Sequence, residues 1–404
     1  MLSEQSTPVL RTSLPAVGAA IGDITELFYR KLFDAHPELL RDLFNRGNQA
    51  NGDQQRALAG SIAAFAEMLL DGPEARPDAT LARIAHKHAS LGITSDQYKV
   101  VHRHLFAAIA EVLGDVVTPE VAAAWDEVYW LMANALIAVE VRLYQEAGAA
   151  EGAVWHRMTI VERRQETPDA VSFVLRRADG RPTAPFRPGQ YVSVQVELPD
   201  GAWQIRQYSL SAAPGRADRR ITVKQVRAGT GSDADRTQPD GEVSNWLCTH
   251  ARTGDELMVS VPFGDLVLPE GDSPLLLASA GIGVTPMLSM LDHLDATGSA
   301  RPVTVLHADR TPADHAHRDE QRSLVGALPD ARLHLWYEEP GDQAPEASTG
   351  RVDLDTIDLP PGVTAYLCGP LPFMRAVRGA LLRRGVPAEA IHYEVFGPDL
   401  WLGR

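Results

Sequence analysis

The sequence predicts a multidomain protein with three folds in succession. These are an all-α domain over residues 1–147, an antiparallel β-barrel over 148–268 and an α/β domain with a parallel sheet over 269–404. Helical periodicity without strand signals fills the first region, and short alternating runs fill the second. In the third region, compact apolar strands alternate with helical stretches. A chain of 404 residues also exceeds what one hydrophobic core normally serves.

Composition excludes several classes of partner. The formal net charge of −15 argues against nucleic acid and anionic membrane surfaces, which both require clustered Lys and Arg. Cys248 and Cys368 are the only cysteines, which argues against a disulfide framework and favours the reducing cytoplasm. The N-terminus lacks the basic and apolar segments of a signal peptide, and no apolar run is long enough to span a membrane. We therefore expect a cytoplasmic protein without nucleic-acid or membrane partners. We also expect a monomer, although no feature of the composition determines the oligomeric state.

Amphipathic helices account for the first region. The stretch "VAAAWDEVYWLMANALIAVEVRLYQE" (121–146) keeps helical periodicity over roughly seven turns. Loop signals such as "NRGNQANGD" and "DGPEARPD" separate the helices. An apolar face recurs at helical spacing, with one polar member, at Gln54, Leu58, Ile62, Phe65 and Leu69.

One carboxylate interrupts the apolar row of the last helix. Glu140 follows Tyr129, Met132 and Leu136 at helical spacing. Burying a carboxylate without a partner is costly, so a buried Glu140 requires a hydrogen-bonding partner. The alternative is a side chain at the helix edge that reaches water.

Strand signals begin after "EAGAAEGAVW" (146–155), a Gly-rich stretch that we interpret as a linker. Five short alternating runs follow, separated by turn residues, as a small antiparallel barrel requires. They are "HRMTIVE", "AVSFVLRR", "QYVSVQVEL", "RRITVKQV" and "DELMVSV".

A glycine-rich turn opens the third region. In "ASAGIGVTPMLSML" an apolar strand gives way to a helix, and Gly281 and Gly283 allow a tight turn. Thr285 is a candidate N-cap, and Pro286 a candidate first helical residue. Such a helix start favours a pyrophosphate. The third glycine of the dinucleotide fingerprint is missing, so an ordinary strand-to-helix turn stays open as the alternative.

Six motifs of the last 250 residues follow one another in the order of the ferredoxin-reductase-like flavoenzymes, a family that this region resembles. The resemblance implies a flavin reductase that takes hydride from NADH or NADPH. For any single tyrosine in these motifs, plain barrel packing is the alternative reading. The motifs are "RPGQY" (187–191), "RQYSL" (206–210), "GEVSNWL" (241–247), "GIGVTPM" (281–287), "YLCGP" (366–370) and "HYEVFGP" (392–398).

The resemblance assigns cofactor-binding residues. Arg206 would contact the FAD pyrophosphate, Tyr208 the isoalloxazine ring, and Phe396 would cover the flavin where nicotinamide enters. Cys368 has an alternative reading as a small buried hydrophobe. The implied flavin set is Tyr191, Arg206, Gln207, Tyr208, Ser209, Gly241, Val243 and Ser244. The other cofactor-binding residues that the resemblance implies, at the nicotinamide and at the flavin edge that it meets, are Gly281, Ile282, Gly283, Val284, Thr285, Pro286, Cys368, Gly369, Pro370, Glu394, Val395, Phe396, Gly397 and Pro398.

The front region resembles the globin domain of the flavohaemoglobins. The similarity rests on "ELFYRKLFDAHPELLRDLFNRGNQANGDQQRAL" and "IAHKHASLGI" (84–93), and with the reductase motifs it covers essentially all 404 residues. It implies that His88 is the proximal ligand of the haem b iron, with Lys87 beside it at the cofactor site. His86 has no implied role, and we expect it near the surface. Without the resemblance, a lone helical histidine is more often solvated or hydrogen-bonded.

Further residues of the haem site follow from the same resemblance. Glu140 and Tyr98 would form a network with His88 and increase its electron donation to iron. On the distal side the resemblance places Tyr29, Gln54 and Leu58, with Phe44 wedging the ring. The sequence departs from the family by one apparent insertion before Phe44 and by a long polar segment over 228–240.

Two further substitutions, Val284 and Val395, stand where relatives often carry glutamine and cysteine. The "DHAHRDE" stretch (314–320) reads as an exposed loop that enters a helix, and a metal site at its histidines is a weak alternative.

The activity that the resemblance implies is that of a nitric oxide dioxygenase. NADH or NADPH would pass hydride to FAD, FAD would pass electrons to haem, and O2 bound at ferrous haem would oxidise NO to nitrate. Two alternatives stay open: a gas or redox sensor, and a reductase whose acceptor is external. The adjacent Asp309 and Arg310 give opposite indications about NADH and NADPH.

Overall fold

The computed structural model describes residues 2–72, 77–228 and 240–397, without the side chains at 77–80 and 343. Within these ranges the chain forms eleven α-helices and twelve β-strands. An all-helical region, an antiparallel sheet and a parallel sheet follow one another, which confirms the predicted fold class. None of the described helices combines the length and apolar character needed to cross a bilayer.

The helical region owes its boundaries to local capping. Thr94 and Gln97 form a reciprocal capping box at the start of one helix, and Thr118 caps another whose first residue is Pro119. The helices are α1 (Ser6–Ala35), α2 (Pro37–Asp42), α3 (Arg46–Ala50), α4 (Asp53–Asp71), α5 (Pro77–Leu91), α6 (Ser95–Leu113) and α7 (Pro119–Glu146).

Small residues bring α5 close to α7. Ala85, Ala89 and Ser90 on α5 are all fully covered, and α5 packs along α7. His86 is also buried, at 7 % exposure, so the expectation that it lies near the surface is wrong. The expectation rested on the absence of an apolar row at His86, and burial in a packed helix does not require such a row.

Strands β1–β6 form one antiparallel sheet in the order β4-β3-β6-β1-β2-β5. A bridge between Leu210 and Ile221 links the two outer strands, as a barrel requires. Strand β4 is missing from the five predicted runs, because Gln204, Arg206 and Gln207 obscure the alternation. The strands are β1 (Trp155–Thr167), β2 (Ala170–Arg177), β3 (Tyr191–Glu197), β4 (Trp203–Ser209), β5 (Arg219–Lys224) and β6 (Glu256–Ser260), and helix α8 (Glu242–His250) precedes β6.

The last six strands form a parallel sheet in the order β10-β9-β8-β7-β11-β12. The chain order reverses between β7 and β11, and ligands of such sheets bind beyond the carboxyl ends at this switch point. The strands are β7 (Leu275–Ala280), β8 (Val303–Asp309), β9 (Ala331–Tyr337), β10 (Ser348–Thr349), β11 (Thr364–Cys368) and β12 (Ile391–Glu394). The helices are α9 (Val284–Ala296), α10 (Arg318–Ala327) and α11 (Leu371–Arg383).

The segment ahead of α10 is interior, not exposed as predicted. His315 bonds through Nδ1 to the Tyr337 hydroxyl at 2.8 Å, and both side chains are buried. His317 is buried as well, with Nε2 2.8 Å from Thr222 Oγ1. The described residues contain no cluster of three or more acidic, histidine or cysteine side chains placed to hold a metal ion. The histidines therefore have structural hydrogen bonds where exposure was expected.

The chain divides into two compact units. Of the described residues, the first holds those up to Trp155, together with Glu197–Ile205 and Gly397, and the second holds those of His156–Val196 and Arg206–Phe396. A piece of the antiparallel sheet, Glu197–Ile205, thus groups with the helical region. The two predicted boundaries between the three domains stay predictions.

Substitution of Gly189, two residues before β3, tests how closely the backbone packs there. Its φ is +101°, and a Cβ there would lie 2.1 Å from the Leu266 carbonyl oxygen. Gly215 has a similar φ of +86° but open space around it. We expect Gly189→Ala to cost about 3 kcal/mol, from steric and backbone strain together, and Gly215→Ala about 1 kcal/mol, from backbone strain alone. Calorimetric melting of both variants measures the difference, and equal losses would contradict this packing.

Candidate functional site

Three helices bring His88, Tyr98 and Glu140 into contact. His88 Nδ1 lies 2.9 Å from Glu140 Oε1 and 3.0 Å from the Tyr98 hydroxyl oxygen. The Tyr98 hydroxyl donates to the same Glu140 oxygen at 2.6 Å. Glu140 is only 3 % exposed, so the carboxylate on the apolar face of α7 is buried and partnered. The structure therefore brings together the proximal network that the resemblance implies.

The network defines the protonation of its members. Burial raises the pKa of Tyr98 well above its usual value, and the charge and hydrogen bonding of Glu140 raise it further. Tyr98 is therefore a neutral hydroxyl that donates to the carboxylate. Since His88 meets both partners through Nδ1, its Nδ1 carries the proton and donates, which leaves Nε2 as the nitrogen with a lone pair. The His88 side chain keeps 32 % exposure, so its ring is not fully enclosed.

The residues assigned to the distal side form a second group. Tyr29 on α1 is buried; burial raises the pKa of its hydroxyl, and a hydrogen bond with Gln54 opposes this in part. The Phe44 ring meets the Tyr29 ring edge-on at 5.9 Å and the Phe33 ring at 5.3 Å between centroids. Leu58 follows Gln54 by one helical turn on α4. The apparent insertion before Phe44 thus leaves its ring in contact with Tyr29.

These residues fit a haem group. Apolar side chains of α4, including Leu58 and Ile62, stay half-buried in the protein alone, and a flat apolar ring would cover them. His88 offers one imidazole nitrogen, the axial ligand that haem iron takes in globins. Lys87 beside it is half-buried.

Strand β4 carries the residues assigned to flavin. Alternation along the strand places Arg206 and Tyr208 on one face, with Gln207 and Ser209 on the other. Burial raises the pKa of Tyr208, and the charge of Arg206 opposes this. The Ser209 hydroxyl is buried with no partner among the described residues, which leaves it available to a ligand atom. Gln207 donates to Ser193 Oγ at 2.9 Å, so it supports the neighbouring strand.

The start of α8 forms a cradle suited to a diphosphate. Gly241 precedes the helix, and a Cβ there would lie 2.5 Å from Ser244 Oγ and 2.8 Å from Val226 Cβ. Val243 is fully buried, so it can reach a ligand only through its backbone amide. The amides at this helix start point outward and favour an anion. Tyr191 lies against Gly264, where a Cβ would be 3.0 Å from its ring.

The glycine-rich turn differs in one respect from the prediction. Gly281–Gly283 form a 3-10 turn, and α9 begins at Val284 with Gly283 as its N-cap. Thr285 is therefore not the N-cap, and Pro286 is not the first helical residue. The Thr285 hydroxyl instead donates to the Ile282 carbonyl at 3.0 Å, because the 3-10 turn begins helical geometry earlier.

The carboxyl ends of β7 and β11 meet at this turn. A Cβ at Gly283 would lie 2.3 Å from the Cys368 carbonyl oxygen and 2.7 Å from the Gly369 nitrogen. Cys368 is fully buried, and burial, followed by the charge of Glu394, holds its thiol pKa well above the usual value. A protonated, enclosed thiol fits the reading of Cys368 as a small hydrophobe better than direct participation in hydride transfer.

The remaining described candidates lie on β11 and β12 and in the residues that follow these strands. Cys368 pairs with Glu394 in the register between these strands. Val395 is half-buried, and Phe396 is 47 % exposed in the protein alone. Pro398 and most of the 228–240 segment lie outside the described residues.

Gln204 escapes inspection of the sequence, although the structure gives it a specific setting. Its side chain is fully buried, and its amide donates to the Arg41 and Phe44 carbonyls at 3.0 and 3.1 Å. A lone glutamine in a strand without clear alternation gives no signal of such contacts.

Three family models match the chain in the order of its folds. The globin model matches residues 26–136, the oxidoreductase FAD-binding domain 157–267, and the oxidoreductase NAD-binding domain 277–379. These segments contain most of the candidate residues described above.

Full-length relatives carry the same modules. The chain is 39 % identical to a flavohemoprotein of Rhizobium meliloti, with 99 % of this chain and 100 % of the relative covered. A flavohemoprotein of Chromobacterium violaceum is 40 % identical over 98 % of both chains. The crystal structure of a flavohemoglobin from Malassezia yamatoensis with bound FAD and heme superposes with a TM-score of 0.89 at 37 % identity, over 98 % of this chain and 100 % of that one.

The reductase part also has a separate structural match. The FAD/NAD-binding domain of a nitric oxide dioxygenase from Vibrio cholerae has a TM-score of 0.55 at 35 % identity, covering 60 % of this chain and 99 % of that one.

Gly283 provides a test of the nicotinamide edge. In Gly283→Ala the new methyl group would collide with the backbone at Cys368, so the turn must move away from β11. We expect the Kd for NADH to rise roughly tenfold or more, because the amides of the turn lose their placement. Titration of the purified protein with NADH measures this. Gly326→Ala on α10, where nothing lies within 4 Å of the new Cβ, should bind NADH normally. Equal affinities in both variants would remove Gly283 from the site.

Proposed function

The chain belongs to the flavohemoprotein family, and from this premise we propose that it is an NAD(P)H-dependent nitric oxide dioxygenase. Its cofactors are haem b and FAD, and its substrates are NO, O2 and NADH or NADPH. When bound, FAD accepts hydride from the nicotinamide and passes single electrons to haem, where O2 and NO combine to nitrate. The contact of His88 with Glu140 and Tyr98 is the observation that carries the proposal.

His88 and its partners suit electron donation. A carboxylate that accepts the Nδ1 proton of a ligating imidazole orients the ring and raises its basicity. Glu140 is placed to do this at 2.9 Å, and the Tyr98 hydroxyl donates to the same Glu140 oxygen. A more basic imidazole favours chemistry on oxygen over its reversible storage.

Tyr29 suits the stabilisation of a polar diatomic ligand. Burial keeps its pKa high, so the hydroxyl is protonated over the physiological pH range. A fixed hydroxyl donor stabilises developing negative charge better than mobile water does. Gln54 holds the hydroxyl, and the Phe44 ring limits its movement.

The reductase residues supply the electron source. The charge of Arg206 and the amides at the start of α8 suit the FAD diphosphate, and the buried Ser209 hydroxyl suits a polar edge of the flavin ring. The turn at Gly283 allows the nicotinamide nucleotide to approach the backbone between β7 and β11.

Steady-state assays test the proposal. Wild-type protein should consume NO in proportion to NADH and O2, and His88→Ala should abolish this while NADH-driven reduction of cytochrome c persists. His102→Ala is a matched control, since His102 is another helical histidine that bonds to a carboxylate, Asp126, at 2.7 Å. Its NO turnover should stay normal. Fast cytochrome c reduction without NO consumption in wild type would favour a reductase with an external acceptor.

Glu140→Gln tests the proximal network. The amide is a weaker acceptor for the Nδ1 proton of His88, so the imidazole donates less strongly to iron. We expect NO turnover to fall roughly 10- to 100-fold and the haem reduction potential to rise. Spectroelectrochemical titration measures the potential. Glu111→Gln, at an exposed ion pair with Lys31, should leave both quantities unchanged. An unaltered potential in Glu140→Gln would show that Glu140 only fills space.

A further inference from the structure

The buried amide of Gln204 bonds to the backbone that leads to Phe44. Its Nε2 donates to the carbonyls of Arg41 at 3.0 Å and Phe44 at 3.1 Å, with a longer contact of 3.4 Å to Leu40. Its Oε1 faces the Arg46 nitrogen at 3.5 Å. All of these residues belong to the first compact unit, which includes Glu197–Ile205 of the antiparallel sheet.

These bonds complete the end of a helix. The last carbonyls of α2 (Pro37–Asp42) have no partners within the helix, and Gln204 supplies donors to two of them. Its bond to the Phe44 carbonyl holds the backbone of the residue whose ring contacts Tyr29 and Phe33. A buried amide without these carbonyls would carry a large desolvation cost, so Gln204 and the segment constrain each other.

Two neighbouring contacts also join the hairpin that carries Gln204 to the segment around Phe44. The Trp203 nitrogen donates to Asp42 Oδ1 at 3.1 Å. Arg46 pairs with Asp200 at 2.6 Å. Asp200, Trp203 and Gln204 of one hairpin thus all bind residues of the segment 41–46. Of these three hairpin residues, Gln204 is the one that is fully buried.

Strand β4 continues from Gln204 to the residues assigned to flavin. Arg206 and Tyr208 follow at two and four positions, and strand alternation places all three side chains on one face. We infer that Gln204 is a positioning residue for electron transfer from flavin to haem. It holds the backbone of Phe44 from the strand that bears Arg206 and Tyr208. The inference rests on the proposed function.

The electron transfer from flavin to haem, which we infer to depend on Gln204, is a one-electron step. One electron at a time leaves reduced FAD and reduces ferric haem iron to ferrous. Two such transfers return the flavin to its oxidised form, and over the two the flavin releases one proton to solvent. The preceding step, transfer of hydride from NADH to FAD, involves residues of the second unit and does not require Gln204. The two steps can therefore be separated kinetically.

Anaerobic stopped-flow mixing of the holoprotein with NADH resolves them. In Gln204→Met, which keeps the side-chain length but removes the donors, we expect flavin reduction at the wild-type rate. Haem reduction should slow roughly tenfold, since small displacements of reacting groups have effects of this size. A purely structural role would lower the melting temperature without changing the ratio of the two rates.

Gln165→Met is the matched control. The Gln165 amide also donates to two backbone carbonyls, those of Thr167 at 2.6 Å and Ala170 at 3.2 Å, but it lies at the β1–β2 turn. Both rates should be normal in this variant. An unchanged rate ratio in Gln204→Met, or an equal loss in Gln165→Met, would overturn the inference.

Two additions keep the outcome decisive. If Gln204→Met does not bind haem or FAD, the same ratio is measured in Gln204→Asn, whose shorter amide stays polar but cannot reach all three carbonyls. An unchanged ratio there also overturns the inference. NO consumption is measured on the same wild-type preparation. If the dioxygenase proposal is wrong, the wild-type haem will be reduced without NO turnover, whatever the Gln204 variants show.

Discussion

The Glu140 carboxylate is the constraint on which the helical region depends. A charge buried to this degree is tolerated only with partners, and Glu140 takes its partners from two other helices. α5, α6 and α7 must therefore keep one relative position to satisfy a single oxygen. The same requirement orients the His88 ring through Nδ1, so the packing of these helices and the geometry of the candidate site have a common origin.

A comparable constraint operates in the parallel sheet, though it is steric. The close approach of Gly283 to the backbone at Cys368 draws the ends of β7 and β11 together at the point where the strand order reverses. A side chain at Gly283 would collide with this backbone, so only glycine fits there. Gln204 shows a third form of constraint, in which one amide completes a helix end and fixes the residue beyond it. In each case one contact between segments far apart in the chain fixes the local backbone.

Periodicity and turn chemistry were sufficient for the fold class, because they depend on residues close together in the chain. Sequence inspection was weaker wherever burial depends on distant neighbours. His86 and His315 were predicted to be exposed but are buried, and His315 meets His307 and Tyr337 of two strands. Thr285 read as an N-cap but follows a 3-10 turn that the sequence does not reveal. Strand β4 lacked alternation, because its polar side chains have buried or half-buried partners rather than water.

By itself, then, the sequence determined the order of the three folds and the motifs by which the chain resembles a family of haem and flavin proteins. It also marked Glu140 as a carboxylate in need of a partner. Only the tertiary structure decided which atoms meet: Glu140 with Nδ1 of His88, Gly283 with the backbone at Cys368, and Gln204 with the carbonyls before and at Phe44. The physical reason is that local pattern specifies which residues leave water, whereas their partners are chosen by contacts between segments far apart in the chain.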